Sequence, residues 1–367
     1  MVNCVGQISQ YSADCYGDKT ALIVGDKRFS FRKIDMMACQ IANGLRAAGV
    51  EPGDRVTLYS ENRWEWAVGY HGIAKTGAVI NPLNVMLTPE EVKYVVEDSG
   101  AKVVMAPQDK GEPLLDLKGD SNLNEVVLFG EDVPSGASSF DDWLQSGASS
   151  FATVETQRNQ LAAICYTSGT TGHPKGAMHS HRNILASAEG TALMMVRTQH
   201  DILVNSLPLP HVYGSCVFNS SFLYGMTLVI VPRFEEEAIL SAIQEHQATL
   251  LDGVPTVYYY LLAHPKFDDY DLSSLTRSGV GGQTLPAAKS HEWEERVGTP
   301  VLELWGMTEL AGAATANPYY GENKPGSIGL AFPGCEGKIV SADDSTQDLP
   351  VGEEGEFMFR GPLVMPG

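Results

Sequence analysis

Tyr166-Thr-Ser-Gly-Thr-Thr-Gly-His-Pro-Lys-Gly176 follows an apolar run, Leu161 to Tyr166, that reads as a buried strand, and precedes a helical pattern from about His181. Glycine lets the backbone approach a ligand closely and adopt φ > 0. Consecutive exposed N–H groups can then wrap anionic oxygens, with Ser and Thr hydroxyls as further donors and a lysine as counter-charge. That is chemistry for holding a polyphosphate. On composition alone, a solvated Gly/Ser/Thr connection carrying one lysine is an equal reading.

Outward from this loop, strands and helices alternate. On the amino-terminal side, Ala21 to Val24 and Arg28 to Phe31 suggest a hairpin, and Ser30 caps a helix whose apolar residues Ile34, Met37, Ala38, Ile41 and Leu45 share a face. Gly49 stops that helix. Arg55 to Leu58 and Ala78 to Ile80 read as strands, with a helix over Trp64 to Lys75 between them. Thr88-Pro-Glu-Glu91 is a helix start, with Thr88 as N-cap and Glu91 closing a capping box. This helix ends near Gly100, and Lys102 to Met105 returns as a strand. Glu131 to Ser150, rich in Gly and Ser, reads as a surface excursion.

On the carboxyl side, helices are expected over His181–Val196, Val217–Leu223, Glu235–His246, Thr256–Leu262 and Pro286–Val297. Strands are expected at Leu203–Leu207, Leu228–Val231, Thr249–Leu251, Ser278–Val280 and Val301–Leu304. From Ser327 short alternating runs broken by Gly and Pro suit a small antiparallel β unit. The fold class is therefore α/β, with stacked doubly wound layers plus that β unit. The expected divisions are 1–160, 161–325 and 326–367.

Composition narrows the function. The chain has 367 residues, 43% hydrophobic, and a formal net charge of −20. That charge argues against a nucleic-acid or anionic-lipid surface. The six cysteines are scattered without metal-ligand spacing, which fits a reducing cytoplasm. No run approaches the roughly 20 apolar residues of a membrane span, and the first residues do not resemble a secretory signal.

The central loop is not a Walker A motif, because Pro174 precedes Lys175 and Gly176 follows it. Its residue order instead resembles the phosphate loop of the adenylate-forming superfamily: acyl-CoA synthetases, luciferase and peptide-synthetase adenylation domains. Two further stretches resemble that superfamily, in its order. Glu303-Leu-Trp-Gly-Met-Thr-Glu309 is similar to its Tyr-Gly-x-Thr-Glu motif, with Trp305 in place of tyrosine. Pro208-Leu-Pro-His-Val-Tyr-Gly214 matches the segment whose histidine lies beside the reacting carboxylate. Read without the resemblance, Trp305 would be a packed core aromatic and His211 a structural histidine.

The resemblance spans essentially the whole chain and implies a carboxylic acid–CoA ligase using ATP, Mg²⁺ and coenzyme A. In that chemistry a carboxylate attacks the α-phosphate of ATP, releasing pyrophosphate, and the CoA thiolate then displaces AMP. It implies that Thr167, Ser168, Gly169, Thr170, Thr171, Gly172 and Lys175 hold the β- and γ-phosphates. Gln283 and Trp305 would flank adenine, within a nucleotide site drawing on Gly282, Thr284, Glu303, Leu304, Gly306 and Met307. Thr308 would touch the α-phosphate, and Glu309, with Thr167, would bind magnesium. His211, Lys175, Thr308 and Glu309 are thus the implied catalytic set, and Arg233 an implied contact to CoA or nucleotide. The acid would meet His211, Tyr213, Gly214, Val217, Phe218, Gly281, Met307 and Ala311.

These mostly apolar residues suggest a medium- or long-chain fatty acid, with an aryl-propenoate or a dicarboxylate as alternatives. A carrier-protein-loading module and a ligand-binding pseudoenzyme are the readings from other classes. A homodimer is compatible with the sequence. The family continues to a ribose-binding aspartate and a small domain with an adenylation lysine, whereas this sequence stops at Gly367. It therefore resembles the large N-terminal domain, expected to turn over poorly without that lysine.

Overall fold

A computed structural model describes residues 2–119, 121–167 and 174–367. Two large sheets and one small one organise the chain. The nine-stranded sheet runs, edge to edge, Leu330–Ala331, Gly312–Ala316, Val301–Met307, Arg277–Val280, Leu250–Gly253, Ile202–Asn205, Thr227–Ile230, Thr20–Val24 and Lys27–Ser30. Its interior pairs are parallel, and antiparallel strands close both edges. The seven-stranded sheet runs Ser138–Ser139, Glu125–Phe129, Ala101–Pro107, Arg55–Tyr59, Val79–Leu83, Leu161–Thr167 and Lys175–Ser180. The small unit is the antiparallel pair Glu336–Val340 and Glu356–Arg360.

The local signals act as expected at several ends. Ser30 accepts from the Lys33 amide. Thr88 and Glu91 form the reciprocal capping box, and Gly100 ends that helix at φ 61°. Helix Trp64–Lys75 has the expected bounds. The sheets do not respect a division at residue 160. Thr20–Val24 and Lys27–Ser30 join the nine-stranded sheet, and Leu161–Thr167 and Lys175–Ser180 complete the seven-stranded one.

Several elements depart from the sequence reading, and helix Val212–Leu223 begins well before the expected Val217. Lys175–Ser180 is a strand antiparallel to Leu161–Thr167, so the glycine-rich loop joins two strands and not a strand and a helix. Its polar composition hid it. Phe140–Ser146 is a helix inside the supposed excursion, with Phe140 fully buried and edge-on to Phe129. Gly312–Ala316 is a buried strand of small residues lacking β-branched markers except Thr315.

Helices Trp64–Lys75 and Val212–Leu223 are buried on nearly every side, as apolar all-round helices must be. They meet through Phe218, which packs edge-on to Trp66 and Tyr70, and through Asn219, which donates to the Tyr70 hydroxyl at 2.9 Å. The largest core cluster runs continuously through both sheets and these helices. No helix among the described residues is long and apolar enough to cross a membrane.

Candidate functional site

Parallel strands deliver their ligand-facing residues at their carboxyl ends. The strand Val301–Met307 emerges there and passes into a single 3₁₀ turn, Thr308–Leu310. Ala311 takes φ 54° and Gly312 φ 130° before the chain returns antiparallel. Gly306 has a packing reason to lack a side chain, since a Cβ there would strike the Gly312 and Ala313 backbone.

A cleft of about 280 Å³ opens at this turn. Its walls come from three separate stretches: His211 to Tyr213, Gly281 and Gly282, and Leu304 to Glu309, closed by Gly312 and Ala313. His211 is the N-cap of helix Val212–Leu223, its Nδ1 accepting from the Tyr213 amide at 3.2 Å. That bond fixes the ring with Nδ1 unprotonated and leaves Nε2–H to donate. Burial lowers the imidazole below its ordinary pKa, so it is neutral near pH 7. Gly281 lets the Tyr213 ring close against the backbone, where a Cβ would sit 3.1 Å from it. Trp305 is held edge-on to Phe357 of the small β unit, with ring centroids 5.2 Å apart.

His179, which the sequence did not single out, binds the Thr308 carbonyl through Nε2 at 2.7 Å. It is buried, and desolvation brings its pKa down to about 4, so the neutral ring donates to that carbonyl. The strand Lys175–Ser180 is thereby tied to the Thr308–Glu309 turn. The chain's last residues join the same junction. The Met365 amide donates to the Glu309 carbonyl at 2.9 Å, and the Met178 amide to the Gly367 carbonyl at 2.9 Å. Asn183 Nδ2 donates to the carbonyls of Pro362 and Val364.

Several expected site residues lie elsewhere. Val217 and Phe218 are wholly buried in the inter-sheet core. Gly214 sits where a Cβ would overlap the Pro208 carbonyl, so its smallness serves packing. Gln283 and Thr284 are exposed, and the Thr284 hydroxyl serves the Glu303 carboxylate. Glu303 is itself buried, raised in pKa by desolvation, and accepts the Gly326 amide at 2.8 Å. It braces two turns. Ala311 is buried in the core beside the 3₁₀ turn. Arg233 lines a different cleft, with Lys27, Arg63 and Trp64.

Ser168 to Gly172 of the expected phosphate loop lie outside the described residues. The flanking Thr167 and Lys175 are opposite each other across the strand pair, with Lys175 exposed. Glu309 lines the cleft and is in no ion pair with another described residue. A hard oxygen donor so placed fits a magnesium ion.

Comparison with known proteins agrees with this geometry. The family model described as AMP-binding enzyme matches residues 9–367. The chain is 29% identical over 385 residues to a long-chain-fatty-acid–CoA ligase of Bacillus subtilis (strain 168), covering 97% of this chain and 69% of the relative. It is 31% identical over 350 residues to a feruloyl-CoA synthase of Amycolatopsis sp, covering 95% and 68%. The crystal structure of the anthranilate CoA ligase AuaEII in complex with anthranoyl-AMP superposes with a TM-score of 0.92, at 29% identity over 99% of this chain and 70% of that one. With the motifs, the cleft and the family model in agreement over nearly its full length, the chain belongs to the AMP-binding enzyme family.

Proposed function

We propose that the cleft bounded by His211, Trp305 and Glu309 is where a carboxylic acid is joined to the α-phosphate of ATP. The chain is an AMP-forming acid–CoA ligase whose co-substrates are ATP and coenzyme A. The observation that carries the site assignment is the convergence of three sequence-distant stretches on one cleft. A structural relative with a bound acyl-adenylate, anthranoyl-AMP, supports it.

In this reading the adenine lies between Trp305 and the Gly281–Gly282 backbone. The Thr308 hydroxyl meets the α-phosphate. Neutral His211 donates Nε2–H to the acid's carboxylate, orienting one oxygen for in-line attack without neutralising the nucleophile. Pyrophosphate leaves, and the CoA thiolate then displaces AMP from the acyl carbonyl. Lys175 and Thr167 flank the loop that would hold the β- and γ-phosphates. Glu309 would hold magnesium, which supplies charge neutralisation on the phosphate oxygens. Arg233 and Lys27 share their cleft with Asp26, Glu61, Glu65 and Glu235, a balance of charge that does not favour the phosphates of CoA. The six unpaired cysteines support a cytoplasmic setting.

The test is calorimetric titration with ATP in the presence and absence of magnesium. Glu309→Gln is expected to remove most of the magnesium-dependent gain, about tenfold in affinity, or about 1.4 kcal/mol. An unchanged magnesium response in that variant would move the metal site elsewhere. As to the acid, the long-chain-fatty-acid and feruloyl relatives bracket the choice.

A further inference from the structure

The Thr308 carbonyl accepts two hydrogen bonds, and they do different things. The Ala311 amide donates to it at 3.0 Å, which by itself closes the 3₁₀ turn Thr308–Leu310. His179 Nε2 lies 2.7 Å from the same oxygen. A carbonyl only accepts, so Nε2 carries the proton and donates. This second bond is not needed to close the turn. It joins two elements 129 residues apart in the chain, and so fixes where the turn stands.

The residue type is unusual for its place. His179 is 2% exposed, in the strand Lys175–Ser180, and its cross-strand partner is Ala163. An apolar side chain of similar size would fill the space without the cost of drying an imidazole. The bond to Thr308 is what the histidine supplies and a leucine would not.

The strand carries the link further. Its antiparallel register sets His179 opposite Ala163, Ala177 opposite Cys165 and Lys175 opposite Thr167. Alternate residues of a strand share a face, so Lys175, Ala177 and His179 lie on one side of the sheet. At about 3.4 Å per residue in an antiparallel strand, Lys175 stands roughly 14 Å along from His179. The strand is thus a hydrogen-bonded spacer, with a cation at one end and the Thr308–Glu309 turn anchored at the other.

We propose that His179 is a positioning residue for adenylation: it holds the turn that meets the α-phosphate and the metal in register with Lys175, which meets the phosphates beyond. The inference rests on the adenylation reading of the cleft. A nucleotide that bridges both ends of the strand depends on their spacing, whereas one that stops at the α-phosphate engages the turn alone. His179 therefore favours ATP over AMP, acting through Thr308 and not by contact with either. Groups that orient a metal-site element in this way typically cost about ten- to a hundredfold in affinity when removed.

The test is calorimetric titration of this chain with magnesium–ATP and, separately, with AMP. His179→Leu keeps the bulk and removes the donor. It is expected to weaken magnesium–ATP by at least about tenfold, with a much smaller loss for AMP. His179→Gln, whose amide nitrogen can stand near the position of Nε2, should recover most of the ratio between the two nucleotides. His179→Asn, too short to reach the carbonyl, should behave as the leucine variant and carries the test if that variant does not fold. A purely structural role gives equal losses for the two nucleotides, or a lower melting temperature with their ratio unchanged. Either result overturns the proposal and leaves the adenylation reading intact. A glutamine variant no better than leucine also overturns it. Failure of the unsubstituted chain to bind either nucleotide overturns both.

Discussion

Arg277 and Arg197 each reach an aspartate beneath the carboxyl end of helix His181–Met194, and the two pairs are finished to different degrees. Arg277 Nε donates to the Met195 carbonyl at 2.7 Å. Its NH2 donates to the Val196 carbonyl at 2.8 Å and to Asp201 at 2.7 Å, and its NH1 to Thr276 at 2.6 Å. Asp201 also accepts the Thr198 amide and the Thr249 hydroxyl. Every strong group there is spent on the fold, capping a helix end whose carbonyls would otherwise lack partners. Arg197 and Asp252 leave a nitrogen and an oxygen over, beside an unpartnered tyrosine hydroxyl. A buried charge pair that is fully bonded is a brace. One that leaves groups over is not finished in that way, and burial alone would not have separated the two.

The comparison can be broken most directly at the closed pair. Asp201→Ala should lower the unfolding free energy by about 3–5 kcal/mol, because it strands a buried guanidinium. Urea denaturation measures this, and a loss below about 1 kcal/mol would mean that Arg277 is not a brace. Next in size is a pH effect that probes a buried polar group. His71 has both ring nitrogens unpartnered, and burial lowers its pKa from 6.5 to about 3. The unfolded chain therefore binds a proton that the folded chain refuses. Stability from this group is full above pH 6.5 and declines by about 1.4 kcal/mol per pH unit as the pH falls toward 3. His71→Leu should flatten the acid limb of the stability–pH curve by that slope. An unchanged limb would show that His71 finds a partner.

At the open pair, Tyr213→Phe should leave stability unchanged or raise it by about 1 kcal/mol, since the hydroxyl makes no bond in the unliganded fold. A loss of that size would place Tyr213 among the braces. The smallest effect concerns the link between the pairs. Val196 holds φ 50° at the position after the helix's last turn, where glycine is usual. Val196→Gly should shift stability by less than about 1 kcal/mol, as relieved strain offsets the greater chain entropy of glycine.

How much of this was legible before folding depended on whether a residue's role was local. Thr88, Glu91 and Ser30 act within one turn of where they stand, so their caps could be read directly. Two of the three motif stretches, those around His211 and Trp305, carried the cleft because their order in the chain is distinctive. Lys175–Ser180 could not be read as a strand, since its identity comes from pairing with Leu161–Thr167 and not from apolar alternation. Val217 and Phe218 look like pocket lining in sequence, yet the helix that carries them is packed by Trp66 and Tyr70. Asp252 was passed over as one acid within an apolar strand. Its meaning comes from Arg197, 55 residues away, and from a tyrosine on a third element.

The tie between the last residues and the Thr308–Glu309 turn has a mechanical side. Gly367 is bonded to Met178 and Met365 to Glu309, while Asn183 grips the carbonyls of Pro362 and Val364 between them. A pull on this segment would load these bonds together and would reach the Thr308–Glu309 turn and the strand Lys175–Ser180 at once. The segment works as a tendon between two elements, so a displacement of the Thr308–Glu309 turn is passed to the strand Lys175–Ser180 and back.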